Sequence, residues 1–189
     1  GERMTSVLHH RCGAPALMVL LPGALMTAQH MVDAGVLAAV VSRNLALDVS
    51  LPDLHALAGD NREALQVLET ELLAPARDQY ETVWLGGISR GGHLALSYLA
   101  AGSGTVNGLC LLAPYPGSRI TSNGVERAGG LSVWQPTPVQ LQDPEFRLWN
   151  WVKDPVWPGP VFMGYGIDDR FADGMQRLAS RMAAAQHTV

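Results

Sequence analysis

The sequence has no long apolar run, few cysteines and little charge, and each shortage removes a class of protein. Nothing approaches the ~18 consecutive apolar residues that a bilayer-spanning helix needs. The longest candidate, Ala14 to Met26, is interrupted by Pro15, Pro22 and Gly23. Only two cysteines occur, Cys12 and Cys110, too few for a disulfide framework or a cysteine-based metal site. Cys110 lies inside an apolar run and reads as a small core residue. Charged residues make up 16% of the chain and sum to −4, which gives no electrostatic footprint for nucleic acid or an anionic membrane. Repeats and low-complexity tracts are missing too. The histidines form no metal-ligand pattern, and neither a metal nor another cofactor is expected.

What is present suits a folded domain. At 189 residues and 48% apolar, the chain is long enough for one domain, residues 1–189, with a sizeable core. The composition leans towards a cytoplasmic protein. The first residue is Gly1 rather than methionine, which leaves room for a removed targeting segment.

Short apolar runs alternate with helical patterns, which predicts an α/β fold with a mostly parallel sheet flanked by helices. Ala16 to Leu21 is a continuous apolar run ended by Pro22-Gly23, as expected for a strand buried on both faces. A helix follows from about Ala28 to Arg43, with Val32, Val36, Ala39 and Val40 on one stripe. Leu45 to Leu51 is a second strand and Asn61 to Gln79 a second helix. Thr82 to Gly86 is a third strand, followed by a helix over Ser89 to Ala101 that stops at Gly102-Ser103-Gly104. Asn107 to Ala113 and Val161 to Tyr165 are the fourth and fifth strands. The last helix carries Phe171, Met175, Leu178 and Met182 on one face, and Thr188-Val189 begins a further strand. Thr5 to Arg11 supplies an edge strand. Between the fourth and fifth strands, Pro114 to Pro160 forms an excursion rich in Pro and Gly. It holds Trp134, Trp149, Trp151 and Trp157 and one short helix near Pro144 to Val152. A segment this long is usually functional. It reads either as an apolar acyl pocket or as ordinary packing of a small lid.

The chemistry centres on Gly87-Ile88-Ser89-Arg90-Gly91. A Gly-x-Ser-x-Gly motif on a sharp strand-to-helix turn projects its serine from the sheet edge, and small neighbours let the backbone turn that tightly. Here an apolar strand precedes the motif and a helix opens after it, which points to Ser89 as a nucleophile. The plain alternative is a Gly-rich turn with a structural serine. The positive end of the helix dipole favours developing negative charge there. The backbone N–H of Arg90 is then one donor to an oxyanion. The loop Leu20-Leu21-Pro22-Gly23-Ala24-Leu25 supplies a second, with the N–H of Ala24 as first choice and Leu25 as the fallback.

These segments, together with Leu111-Leu112-Ala113-Pro114 and Gly164-Tyr165-Gly166-Ile167-Asp168-Asp169-Arg170-Phe171, resemble bacterial α/β-hydrolases of the esterase/lipase type from about Ala16 onward. The resemblance implies a compact α/β-hydrolase and assigns Asp169, in Gly-x-x-Asp, as the acid that orients a histidine. Asp168 is the neighbouring candidate, and the pair also suits a helix N-cap. Chain order of nucleophile then acid agrees with this fold. The family's histidine follows the last strand. His187 stands where that strand begins and reads as structural, so the histidine is expected beyond Val189. His93, one turn after Ser89, reads as packed on the sheet; His30 starts the helix after the oxyanion loop; His9, His10 and His55 read as loop or edge positions.

The implied activity is cleavage of a carboxylic ester or thioester through an acyl-enzyme on Ser89, with a small-molecule acyl substrate as the partner. The alternatives are an acyltransferase using the same residues and a non-catalytic binding protein on the same scaffold.

Overall fold

The computed structural model describes residues 7–53, 61–157 and 159–182, with 185–188 described as backbone. His55, Val189 and the first two residues of the predicted edge strand lie outside the described residues.

Alternation within one strand sets the layers. In β2 (Ala16–Leu21), Leu17, Val19 and Leu21 enter one hydrophobic core and Leu20 enters another, the period of two that a pleated strand imposes. Around β2 lies a seven-stranded sheet in the order β1-β3-β2-β4-β5-β6-β7. Its strands are β1 (Val7–His10), β3 (Asp48–Pro52), β4 (Thr82–Ile88), β5 (Gly108–Leu112), β6 (Val161–Tyr165) and β7 (Ala185–Thr188). Only β1 runs antiparallel to its neighbour. All five residues of β3 are buried, as a strand covered on both faces requires.

The larger core gathers Leu85, Leu109, Leu111 and Met163 from the sheet with Leu96 and Tyr98 of α5 (Arg90–Ala100) and Met175 and Leu178 of α8 (Ala172–Arg181). The smaller core packs Leu20, Val49 and Leu51 under α1 (Ala28–Asp33) and α2 (Val36–Ser42). Met18, Trp84 and Cys110 stay half-buried, and Phe162 is exposed. Cys110, predicted as a core residue, is thus only partly enclosed. Burial still pushes its thiol pKa up.

Three departures from the predicted elements have local causes. The single helix predicted from Ala28 to Arg43 is two helices, because Gly35 takes φ 96 and ends one run before the next begins. The second strand starts at Asp48 rather than Leu45. Asn44 sits at φ 50, and the amides of Leu45 and Leu47 are spent on closing the exit from α2. The helix predicted over Asn61 to Gln79 is continuous but irregular. It runs as α3 (Asn61–Val67), a π-helical turn (Leu68–Leu73) and α4 (Ala74–Gln79). Pro75, at the start of α4, has no N–H for a regular ladder, and the widened turn falls just before it. That turn carries Glu69, which pairs with Arg77 and accepts the Tyr98 hydroxyl at 2.7 Å, fastening this helix to α5.

Between β5 and β6 the chain forms α6 (Arg119–Arg127), a short 3-10 turn (Gln140–Gln142) and α7 (Pro144–Val152). Trp134 and Trp149 are buried here, and Trp149 Nε1 donates to the Pro116 carbonyl at 2.6 Å. No helix among the described residues is long and apolar enough to cross a membrane. After β2 the chain crosses to β3 on one side, then returns to β4 on the other. In such a sheet the crevice beyond the strand ends opens at that reversal.

Candidate active site

The two strands at the reversal are paired to their ends, with Leu21 opposite Gly87, so the loops that follow them meet. Ser89 occupies the turn between β4 and α5 with φ 53 and ψ −112. That combination lies outside the left-handed helical well, and holding a residue there costs on the order of 1–3 kcal/mol. The surroundings hold it on both sides. Its amide donates to the Leu112 carbonyl at 2.9 Å, and its own carbonyl accepts the amides of His93 at 3.1 Å and Tyr115 at 2.9 Å.

The glycines on either side of the turn are there because backbone passes within contact distance. A Cβ on Gly87 would lie 2.2 Å from the Gly91 carbonyl group, and one on Gly91 would lie 2.3 Å from the Leu21 oxygen. Both are too close for any side chain. The turn is therefore pressed onto the end of β2.

Gly23 brings the β2 loop close to the turn: a Cβ built on it would sit 3.7 Å from Ser89 Cβ. Gly23 O accepts the Met26 amide at 3.1 Å, closing a turn whose central residues are Ala24 and Leu25. Leu25 takes φ 59 and is 93% exposed. The amides of Ala24 and Leu25 donate to no group among the described residues. Those in the first turn of α5, Arg90 included, have no intrahelical acceptor. The loop is anchored downstream by a capping box between Thr27 and His30 and by the Asp53 carboxylate, which accepts the Ala28 amide. His30 is therefore a capping residue, exposed at its own helix start.

Asp169 follows β6. Its Oδ1 accepts the Phe171 amide at 2.8 Å and its carbonyl accepts the Ala172 amide, an arrangement that opens α8. Asp168 is exposed, whereas Asp169 is half-buried. Ser89 and Asp169 are joined through two aromatic rings. Tyr115, whose amide holds the Ser89 carbonyl, meets Phe171 edge-on at 5.3 Å between centroids.

Tyr115, Phe171 and Glu145 are site neighbours that motif spacing does not reveal. The Glu145 carboxylate accepts the Ser118 amide and the Thr121 hydroxyl, both at 2.7 Å, and the Tyr115 hydroxyl at 3.1 Å. Burial works against its ionisation, but these donors outweigh burial and hold the pKa below the usual carboxylate value. Burial, with Glu145 beside it, pushes the Tyr115 phenol pKa up. The signal available in the sequence was the position of Tyr115 directly after Ala113-Pro114, at a strand end.

The histidines are spread apart. His93 is buried, with Nδ1 at 3.1 Å from the Tyr115 carbonyl, and burial lowers its pKa. His9 Nδ1 lies 2.9 Å from Ser50 Oγ at the opposite edge of the sheet. His187 falls within β7, level with Gly164. Among the described residues, no imidazole is hydrogen-bonded to Ser89 Oγ or to the Asp169 carboxylate, and no cluster of three or more His, Cys, Asp or Glu could hold a metal ion.

Beyond Phe171 a cavity of about 250 Å³ opens between α6, α7 and the start of α8. Its walls include Arg119, Val125, Trp149, Arg170 and Phe171.

No protein-family model matches the chain, and no curated protein matches it in sequence. Solved structures do match. Est1E from Butyrivibrio proteoclasticus superposes with a TM-score of 0.65 at 13% identity, over 98% of this chain and 88% of that one. MenH from S. aureus gives 0.62 at 16% identity, over 98% and 90%. The α/β-hydrolase enzyme MGS-MChE2, from a metagenome of lagoon sediments at Mar Chica, Morocco, gives 0.61 at 17%, over 97% and 83%. Agreement of this extent, across a sheet whose order reverses beside a strand-to-helix serine turn, identifies the architecture: the chain has the α/β-hydrolase fold.

Proposed function

We propose that the protein is a serine hydrolase that cleaves a carboxylic ester or thioester through an acyl-enzyme on Ser89. The observation that carries this reading is the backbone of Ser89, kept at φ 53 by hydrogen bonds on both sides and by two glycines no other residue could replace. Strain that the surroundings maintain at a half-buried turn beside a crevice is a mark of function.

In the reaction, Ser89 Oγ attacks the carbonyl carbon while its proton passes to an imidazole oriented by Asp169. The carbonyl oxygen becomes an oxyanion and takes hydrogen bonds from the amides of Ala24 and Arg90, whose donors have no competing acceptor. Collapse expels the alcohol or thiol, which leaves with the proton. Water then attacks the acyl-enzyme by the same path and releases the carboxylic acid. The fold neighbours agree in kind, since one is an esterase of the bacterial hormone-sensitive lipase family and Est1E has been seen with ferulic acid bound.

A fluorophosphonate probe tests the assignment directly. It should label the intact protein and leave a Ser89→Ala variant unlabelled. Equal labelling of the two would overturn the reading.

A further inference from the structure

The two residues that directly follow the proposed nucleophile and acid are both arginines, and both rest on the aromatic pair that joins those two segments. Arg90 lies with its guanidinium carbon 4.3 Å from the Tyr115 ring centroid, and Arg170 lies 4.7 Å from the Phe171 centroid. The rings themselves meet edge-on at 5.3 Å. The result is a short ladder of cation, ring, ring and cation that runs from Ser89 to Asp169.

Both arginines are exposed, and neither makes a hydrogen bond or an ion pair with a described residue. Stacking on a ring occupies a guanidinium's face and leaves its N–H edge free, the edge that binds a carboxylate in bidentate fashion. Arg170 also forms part of the wall of the 250 Å³ cavity, where Arg119 is a second exposed cation. The other charges of that wall are Arg177, which pairs with Glu126 at 3.1 Å, and Asp173 in the first turn of α8. The Arg177–Glu126 pair cancels itself. Asp173 carries one negative charge against the two of Arg119 and Arg170. The wall therefore keeps an excess of one positive charge, in a chain whose net charge is −4.

We infer that the site selects acyl groups bearing a second, ionised carboxylate, which Arg170 binds from its place over the Phe171 ring. The class is the half-ester or half-thioester of a small dicarboxylic acid. The Phe171 ring lies between the Tyr115 ring and Arg170, and it offers an apolar surface to the methylenes between the two carboxyl groups.

This inference rests on Ser89 being the residue that is acylated, and the experiment separates the two claims. The p-nitrophenyl half-ester of glutaric acid is compared with p-nitrophenyl pentanoate, which has the same chain length and no charge. The intact protein should favour the anionic ester by about tenfold or more in kcat/KM, the size of one charge-assisted hydrogen bond pair. An Arg170→Gln variant should lose most of that preference through KM, and Arg170→Glu should invert it in favour of the neutral ester. Inversion is a result that general damage to the fold does not produce. Free glutarate should also slow fluorophosphonate labelling of Ser89 in the intact protein and not in Arg170→Glu. If Ser89 is labelled but the two esters react equally, or the preference survives Arg170→Glu, the inference is overturned while the hydrolase reading stands. If Ser89 is not labelled at all, the hydrolase reading falls, and this inference falls with it.

Discussion

The amide of Tyr115 donates to the carbonyl of Ser89 at 2.9 Å, which fixes the start of the β5–β6 connection to the turn at the centre of the site. From that bond outward the arrangement is continuous. The Tyr115 hydroxyl reaches Glu145 in α7, and its ring meets Phe171, whose amide holds Asp169. One tyrosine thus touches the Ser89 turn, the segment that follows Asp169, and α7.

Loss of Tyr115 should therefore act on the chemistry more than on binding. Tyr115→Ala removes the ring that spaces the two segments and is expected to lower kcat for a neutral ester such as p-nitrophenyl butyrate by at least about tenfold, since small misplacements of reacting groups are costly. Tyr115→Phe keeps the ring and loses only the bond to Glu145, so it should recover most of that activity. Steady-state kinetics of the two variants side by side check the expectation. Equal impairment of both would assign the effect to the hydroxyl instead.

Gly91→Ala should fail at the level of folding. The added methyl would meet the Leu21 oxygen at 2.3 Å and the Pro22 oxygen at 2.5 Å, and both are backbone atoms that cannot swing aside. Overpacking of ordinary cores costs about 1–3 kcal/mol, and a clash with backbone belongs at or above the top of that range. Urea denaturation followed by circular dichroism gives the value. A loss below about 1 kcal/mol would mean that the turn can relax away from β2.

Much of this architecture can be read from residue order, and the reason is physical. A central strand of a parallel sheet is apolar almost throughout, so Ala16 to Leu21 and Val161 to Tyr165 announce themselves with the observed boundaries, even though Phe162 on the second is exposed. The serine turn is equally legible, because its glycines fall at fixed spacing about Ser89, Gly87 against Gly91 within the turn and Gly91 against the end of β2. By contrast α6 buries only Thr121 and Val125 and contains Gly124, so it has neither an apolar stripe nor strong helix propensity to reveal it. The ladder through Tyr115 and Phe171 is also invisible in the sequence. It joins segments more than fifty residues apart, and nothing local requires their side chains to meet.

Asp48 makes an acid-sensitive contribution to stability at the end of the sheet remote from Ser89. It is buried at the start of β3. Burial opposes its ionisation, but the Tyr80 hydroxyl, the Cys12 and Ala14 amides and the Cys12 thiol all donate to it and bring its pKa down to about 2. The folded-state value lies below the unfolded one, so the stabilisation is complete above the unfolded pKa near 4. It is lost as pH falls from about 4 towards 2. Asp48→Asn should cost roughly 1–2 kcal/mol at pH 7 and should flatten the pH dependence of stability in that window. Denaturation midpoints of the two proteins at pH 7 and pH 3 provide the comparison. A difference that does not narrow at the lower pH would remove Asp48 as the cause.

The last prediction separates the two adjacent carboxylates after β6. If Asp169 orients the base, Asp169→Asn should lower kcat by about 10⁴-fold, the loss seen when the carboxylate partner of a catalytic imidazole loses its charge. An asparagine oxygen can still accept the Phe171 amide that Asp169 holds at 2.8 Å, so the start of α8 and the melting temperature should change little. Asp168→Asn alters an exposed side chain and should leave kcat within about twofold, as surface substitutions usually do. Labelling of Ser89 by a fluorophosphonate should fall in the first variant in proportion to its lost kcat and persist in the second, because the probe needs the same activated oxygen as the ester. If the large loss follows Asp168→Asn instead, the acid is one residue earlier. The Phe171 bond of Asp169 would then be a helix cap and nothing more.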